Sequence, residues 1–200
     1  MAVDTDGTRF VCTESALYAF SPNGTKALIA GHKTKRGFAD GEGTDARFNA
    51  PRGIAMDGEV NLLVADTINH ALRKVTLRCG TVSTIAGNGE AGYTDGIGAA
   101  ARFDDPWGIA VDAQGAISVA DSENHCLRQV APGDGAVSTL AGDAEEESDF
   151  ADGQGVAARF NYPMGLALDT DSHVIVADMH NNCIRKVMTA EGRVTTVAGS

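Results

Sequence analysis

The chain has 200 residues, 43% of them hydrophobic, and a formal net charge of −11 at pH 7. This length suits one domain or a section of a repetitive one, and no run approaches the ~20 consecutive apolar residues that a membrane-spanning helix needs. The acidic balance argues against nucleic acid as a main partner, because phosphate-binding surfaces draw much of their affinity from an excess of Lys and Arg.

Residues 1–31 contain short segments that return, in a fuller form, later in the chain. They are "AVD" (2–4), "RFVCT" (9–13) and "KALIAG" (26–31). Thr13 stands where the later copies carry Asp, and the hairpin that follows it is shorter. We therefore expect a truncated first unit built from β-strands.

Three fuller units follow, at residues 46–87, 101–142 and 158–199. Each opens with Ala-Arg-Phe, continues through a segment such as "PRGIAMD", reaches "VAD" and closes with "TIAG" or a close variant. Val, Ile, Thr and Leu dominate four short segments per unit, separated by Gly, Asp, Asn and Pro, which predicts four strands. Weak polar alternation predicts sheets covered on both faces. Four-stranded units that stack on their neighbours are the blades of a β-propeller, so we predict an all-β propeller segment over residues 1–200.

Long loops connect the units, and each loop holds an Asp-Gly-x-Gly element, at residues 40–43, 95–98 and 152–155. Asp-Gly favours tight turns, because glycine accepts a positive φ and Asp bonds nearby backbone amides. These loops lack the dense acidic pattern of a calcium loop, and no glycine motif of a phosphate cradle is present. We expect turn chemistry here.

The combined pattern "PxGIAVD…VADxxNHxIRKV…TVAG", with "DGxGxxARF" in the loops, resembles the NHL-repeat family of β-propellers over nearly the whole chain. The name triplet reads Asn-His-Ala at 69–71, Asn-His-Cys at 124–126 and Asn-Asn-Cys at 181–183. The resemblance implies a ring, usually of six blades, in which the first strand of each blade lines a central channel. Four units would then form part of a larger ring; closure by four blades alone and a homodimer of half-rings are the alternatives.

Three polar residues recur once in each full unit, and we expect them to be structural, because repeated residues are spread around a ring and cannot converge on one site. The Asp of "VAD" and the Asn three positions later should shape the hairpin. The Arg of the third strand should pair with an acid, either that Asp or the Asp of Asp-Gly-x-Gly. The residues are Asp66, Asp121 and Asp178; Asn69, Asn124 and Asn181; Arg73, Arg128 and Arg185.

Catalysis is not expected from the residues of the channel. The resemblance extends to propellers that are lyases or hydrolases with channel metal ligands, yet "GIAMD", "GIAVD" and "GLALD" contain no histidine, and their only acids are repeat aspartates. We therefore predict no catalytic residue, no metal and no cofactor. The leading hypothesis is a non-catalytic protein-interaction scaffold; the alternatives are a metal-dependent lyase or hydrolase and, less favoured by the charge, RNA binding.

Function is better sought where the copies differ. Trp107, the only tryptophan, stands where the sister units carry Arg52 and Met164, directly after the proline that opens the first strand. These three side chains should share one rim of the ring, and Trp, Arg and Met are enriched in protein interfaces. We predict a protein- or peptide-binding rim at Arg52, Trp107 and Met164, with loop packing as the alternative. The strongly acidic stretch 142–150 is a second place where the repeat is broken.

The four cysteines form no Cys-x-x-Cys pair, so a zinc ribbon or redox motif is not expected. Cys126 and Cys183 occupy matching positions and should be small buried strand residues. With no signal peptide at the start of this sequence, the expected environment is the reducing cytoplasm.

Overall fold

The structure, a computed structural model, describes residues 1–58, 60–144 and 148–199, which form four antiparallel sheets. Blade 1 contains β1 (Ala2–Val3), β2 (Arg9–Cys12), β3 (Ala16–Phe20) and β4 (Lys26–Gly31). Blade 2 contains β5 (Gly41–Glu42), β6 (Pro51–Asp57), β7 (Asn61–Asp66), β8 (Ala71–Thr76) and β9 (Thr81–Ala86). Blade 3 contains β10 (Gly96–Ile97), β11 (Pro106–Val111), β12 (Ile117–Asp121), β13 (Cys126–Val130) and β14 (Ala136–Ala141). Blade 4 contains β15 (Gly153–Gln154), β16 (Pro163–Leu168), β17 (Val174–Asp178), β18 (Cys183–Met188) and β19 (Arg193–Gly199).

Each of blades 2 to 4 has a fifth, two-residue strand at its outer edge, where four strands were predicted. In blade 2 the sheet order is β5-β9-β8-β7-β6, and Gly41 pairs with Val82. This strand comes from the Asp-Gly-x-Gly loop, which then enters a 3-10 helix at Gly43–Asp45. The loop thus forms an added edge strand as well as a turn. Its backbone is hydrogen-bonded to β9, and local turn propensity does not predict this long-range pairing.

The 3-10 helices repeat with the blades. The copies after the outer strand are Gly43–Asp45, Gly98–Ala100 and Gly155–Ala157, and a further one, Thr67–Asn69, lies between β7 and β8.

The inner strands β6, β11 and β16 pack side by side at one edge of the blades, and glycine permits their close approach. A Cβ on Gly53 would lie 2.2 Å from the carbonyl oxygen of Trp107, and one on Gly108 would lie 2.0 Å from that of Met164. At the same position of blade 4, a Cβ on Gly165 would meet Ala177 at 3.6 Å. Positions 53 and 108 therefore have no room for a side chain, because the backbone of the next inner strand lies too close.

A hydrophobic core fills each space between consecutive blades. Between blades 2 and 3 it brings Leu72 and Ala86 against Phe103 of the Ala-Arg-Phe motif, together with Val119 and Val130. Phe103 is fully buried, as is Phe48 at the joint between blades 1 and 2. Burying such a side chain contributes about 1.5–3 kcal/mol, so this phenylalanine is a principal hydrophobic contact from one blade to the next.

The corresponding face of blade 4 is exposed. Leu127 of blade 3 is 0% exposed, whereas Ile184 at the same position of blade 4 is 37% exposed. Val197 is 59% exposed, against 8% for its blade 3 counterpart Leu140. Blade 4 thus presents outward the apolar surface that blades 2 and 3 bury against their neighbours.

Cys126 and Cys183 are buried strand residues, and all four cysteines are free. In the part of the chain that the structure describes, we find no helix with the length and apolar character needed to cross a bilayer.

Candidate binding rim

Beneath the rim, each full blade contains one buried arginine bound to two aspartates. In blade 2, Arg73 donates from Nη1 to Asp66 Oδ2 at 2.7 Å and from Nη2 to Asp40 Oδ1 at 2.7 Å. The pairing that the sequence left open therefore involves both acids. The equivalent sets are Arg128 with Asp121 and Asp95, and Arg185 with Asp178 and Asp152.

The "VAD" aspartate also holds the loop that precedes its own blade. Asp66 accepts hydrogen bonds from the Asn49 backbone N–H and from Asn69 Nδ2, both at 2.8 Å, and Asn69 Nδ2 also donates to the Gly37 carbonyl at 2.7 Å. Burial raises the pKa of Asp66, and this effect exceeds the lowering that these hydrogen bonds and the charge of Arg73 produce. In the more exposed Asp40, hydrogen bonds from Arg73 and Thr84 outweigh partial burial and lower the pKa.

Two aromatic rings enclose each buried guanidinium. The Cζ of Arg73 lies 4.9 Å from the Phe38 ring centroid and 5.3 Å from that of Phe48. Tyr93 with Phe103, and Phe150 with Phe160, enclose Arg128 and Arg185 in the same way. Sequence reasoning missed the first ring of each pair, although an aromatic residue stands two positions before every Asp-Gly-x-Gly aspartate.

Blade 1 lacks this arrangement. Thr13 stands at the aspartate position and Tyr18 at the arginine position, so both partners of the ion pair are replaced together. Tyr18 is 8% exposed, and Lys26 Nζ lies 3.9 Å from its ring centroid. The absence of both charges avoids leaving one of them buried and unpaired.

The hairpin of one blade fastens the start of the next inner strand. Thr67 Oγ1 donates to the Pro106 carbonyl at 2.8 Å, and His70 Nδ1 accepts from the Asp105 N–H at 3.1 Å. At the next seam, Ser122 and His125 make the same bonds to the carbonyl of Pro163 and the N–H of Tyr162. The repeat histidines are thus hydrogen-bond acceptors between blades, a bond that sequence reasoning did not predict.

Two of the predicted rim residues, Trp107 and Met164, follow directly after the prolines that these hydroxyls bond. The Arg52 guanidinium lies 5.0 Å from the Trp107 ring centroid, a cation–π distance. Arg52 is exposed, while Trp107 and Met164 are half-buried. The structure therefore brings Arg52 and Trp107 into contact and places Met164 at the start of the next inner strand.

The two seams carry different polar groups beside this rim. At the seam between blades 2 and 3, His70 Nδ1 lies 3.3 Å from Asp104 Oδ1 and 3.4 Å from Asp105 Oδ1. Burial raises the pKa of both aspartates, the charge of His70 opposes that shift, and Glu123 adds to it.

At the seam between blades 3 and 4, the Tyr162 hydroxyl donates to Glu123 Oε2 at 2.6 Å. The Tyr162 ring contacts those of His125 and His180, with centroids 4.9 and 4.4 Å away. This seam has an aromatic and imidazole surface where the preceding one is acidic.

The acidic stretch 142–150 lies only partly within the described residues, since 145–147 fall outside them. Its final residues have structural roles: the Asp149 carbonyl accepts from Asn181 Nδ2 at 2.9 Å, and Phe150 covers Arg185.

A family model described as NHL repeat matches residues 103–130 and 160–187, the hairpins and inner strands of blades 3 and 4. The chain belongs to the NHL-repeat family. It is 31% identical over 175 residues to Protein SUPPRESSOR OF QUENCHING 1, chloroplastic, of Arabidopsis thaliana, covering 84% of this chain and 16% of that protein. It is 32% identical over 165 residues to human NHL repeat-containing protein 2, covering 76% of this chain and 22% of that protein.

Solved propellers share this NHL-repeat fold. A structural-genomics protein of unknown function from Bacteroides thetaiotaomicron superposes with a TM-score of 0.75 at 26% identity, covering 92% of this chain and 45% of its own. Virginiamycin B lyase from Staphylococcus aureus, crystallised with quinupristin, superposes with a TM-score of 0.65 at 12% identity, covering 98% of this chain and 54% of its own. At that identity the second likeness concerns the fold alone.

Proposed function

We propose that this NHL-repeat chain is a non-catalytic scaffold that binds a protein or peptide on the rim formed by Arg52, Trp107 and Met164. The observation that carries the proposal is the Arg52–Trp107 stack, which places an exposed cation over a half-buried indole. Trp and Arg are the residues most enriched in binding hot spots. The aspartates of the buried arginine clusters accept the backbone N–H groups of Asn49 and Asp104, just before the two inner strands, which fixes the start of each strand and reduces the ordering needed on binding.

The neighbouring blades contribute different groups to this rim. Blade 2 supplies Arg52, blade 3 supplies Trp107, and blade 4 supplies Met164, so a partner lying across them would contact three blades at once. Repeat-equivalent positions with dissimilar side chains support specific recognition, because a bound segment meets a different chemical surface at each blade.

The fluorescence of Trp107 can report binding at the rim, because Trp107 is the only tryptophan in the chain. Partners captured on the wild-type protein should be lost on Trp107→Ala and Arg52→Ala, and a purified partner should shift the Trp107 emission on titration. Ile97→Ala serves as a matched control, because Ile97 is 60% exposed but lies on the outer strand β10. Equal partner binding by wild type, Trp107→Ala and Arg52→Ala would contradict the rim.

We further propose that the four blades are part of a larger ring, with six blades as the expected number. The exposed Ile184 and Val197 support this, since their counterparts are buried by a following blade. Two polar contacts would differ between blade 4 and such a following blade. Met179 replaces the hydroxyl residue of the other seams, and Asn182 replaces their histidine.

Appending a second copy of residues 143–199 after residue 199 tests the larger ring. The added blade should cover Ile184 and Val197 and raise the melting temperature, because the stability of stacked repeats depends on the interfaces between neighbours. A matched copy, with Ser at the position equivalent to Phe160, should give a smaller rise. An extended chain whose added unit melts separately, without stabilising blade 4, would contradict the proposal. A discrete dimer of the 200-residue chain that Val197→Lys dissociates would favour the half-ring alternative.

The cytoplasm stays the proposed compartment, supported by four free cysteines, two of them buried at matching strand positions. The name of the Arabidopsis relative includes "chloroplastic", so an organelle is the competing location. A fluorescent fusion to the natural full-length protein distinguishes the two.

A further inference from the structure

Three potential metal ligands from two blades converge at one point of the rim. His70 comes from the β7–β8 hairpin of blade 2, and Asp104 and Asp105 come from the segment that precedes β11 of blade 3. Their ligand atoms all lie within 4.8 Å of one another. The side chains are 18%, 34% and 27% exposed, respectively, so the site is sheltered yet open to small ions.

The distances from His70 to the two carboxylates match those between ligands of a tetrahedral metal. His70 Nδ1 lies 3.3 Å from Asp104 Oδ1 and 3.4 Å from Asp105 Oδ1. Two ligands bound about 2.0–2.1 Å from Zn²⁺ at the tetrahedral angle are separated by about 3.3 Å. One imidazole nitrogen with two carboxylates is a donor set that suits Zn²⁺, whereas Ca²⁺ and Mg²⁺ prefer oxygen alone.

The hydrogen bonding around His70 leaves this point short of positive charge. His70 Nδ1 accepts the Asp105 backbone N–H at 3.1 Å, so a nitrogen acceptor faces the same point as the two carboxylates. The two carboxylate oxygens therefore face a third acceptor, and Glu123 adds negative charge nearby. A cation at this point would reduce the repulsion among these groups. To bind it, His70 Nδ1 would give up its hydrogen bond from the Asp105 N–H.

The sister seam shows that the acids are not needed to join blades. There His125 Nδ1 accepts the Tyr162 N–H at 3.2 Å, and the residues equivalent to Asp104 and Asp105 are Asn161 and Tyr162. The imidazole–amide bond alone thus belongs to the repeat. The two carboxylates are an addition at one seam, which distinguishes this cluster from the structural residues that blades 2 to 4 share.

We propose that His70, Asp104 and Asp105 form a Zn²⁺ site that joins blade 2 to blade 3, with water completing the coordination. The ion would add a second fastening beside the Thr67 hydroxyl bond to Pro106. Asp105 lies two residues before Trp107, so the ion would also stiffen the segment that carries this rim residue. The site goes beyond the proposed interaction function and does not depend on it.

Calorimetric titration of the untagged, EDTA-treated protein with ZnCl₂ tests the site. We expect one Zn²⁺ per chain and a higher melting temperature with zinc. Asp104→Asn and Asp105→Asn, as separate variants, should each lower the zinc affinity by more than about 10-fold, the smallest effect typical of groups outside the ligand shell. His70→Asn should do the same and should fold, because Asn182 occupies the equivalent left-handed position in blade 4.

His125→Asn is the matched control, since it removes the imidazole from the seam that lacks the acids and should keep wild-type zinc affinity. The site is overturned if wild type shows no zinc binding, if zinc binds the three variants as tightly as wild type, or if His125→Asn is impaired equally. Tighter binding of CaCl₂ than ZnCl₂ would also overturn it. Circular dichroism without metal verifies that each variant is folded.

Discussion

Arg73 Nη1 lies 2.7 Å from Asp66 Oδ2, and both side chains are completely buried. The same guanidinium reaches Asp40 at the surface, so a single side chain links the end of β7, the interior of the blade and the outer loop. In the part of the chain that is described, the Nε atoms of Arg73, Arg128 and Arg185 have no hydrogen-bond partner. In each of blades 2 to 4, the aromatic rings therefore enclose a guanidinium that keeps one N–H donor without a hydrogen bond.

Removing the buried acid should cost far more stability than removing the exposed one. Asp66→Asn should lower the free energy of unfolding by about 3–5 kcal/mol, because the charge of Arg73 loses its buried partner. Asp40→Asn should cost about 1 kcal/mol, because the side chain of Asp40 is 52% exposed. Urea denaturation measures both, and similar losses for the two variants would contradict the distinction.

The inner-strand glycines should tolerate alanine unequally. Gly53→Ala and Gly108→Ala should each lose about 1–3 kcal/mol, because the new methyl group would overlap a carbonyl of the next blade and force a backbone shift. Gly165→Ala should change stability by less than about 0.5 kcal/mol, because the new methyl group would meet only Ala177, at an ordinary van der Waals distance of 3.6 Å. Thermal unfolding of the three variants provides the comparison; an equal loss in Gly165→Ala would show that strand propensity, not close approach, is decisive.

The two rings that enclose Arg128 should differ in their contributions. Phe103 is fully buried in the core between blades 2 and 3, so Phe103→Ala should cost about 3–5 kcal/mol. Tyr93 is half-buried and bonds Thr139 through its hydroxyl at 2.6 Å. Tyr93→Ala should therefore cost only about 1–2 kcal/mol, the sum of a cation–π contact and a hydrogen bond. Chemical denaturation measures the loss of stability in both variants. A larger loss in Tyr93→Ala than in Phe103→Ala would contradict the prediction.

His125 should make the protein less stable in mild acid. Burial lowers the pKa of His125 below its ordinary value of 6.5, so the unfolded chain binds its proton first as the pH falls. The unfolded state then holds more protons, and stability decreases as the pH drops through about 6.5. His125→Asn should show a smaller fall in melting temperature between pH 7.5 and 5.5. The same fall in both proteins would assign the acid sensitivity to other groups.

Sequence reasoning identified the repeat, the strands and the residues that the blades share. It paired the repeat arginines with acids but could not choose between Asp66 and Asp40, because the choice depends on how far a forked guanidinium reaches in three dimensions. It described the Asp-Gly-x-Gly loops as turns, since the hydrogen bonds that make them edge strands are formed with a strand about 40 positions later.

The amino-acid sequence by itself determined that this chain is built from NHL repeats with a β-propeller fold, because strand pattern, turn residues and repeat spacing can be read directly along the chain. Only the tertiary structure decided which unlike residues meet. Arg52 lies against Trp107, and His70 faces Asp104 and Asp105, because successive blades stack with their inner strands in contact and place the hairpin of one blade over the loop of the next. That stacking joins positions 34 to 55 residues apart, a relation that no local pattern encodes.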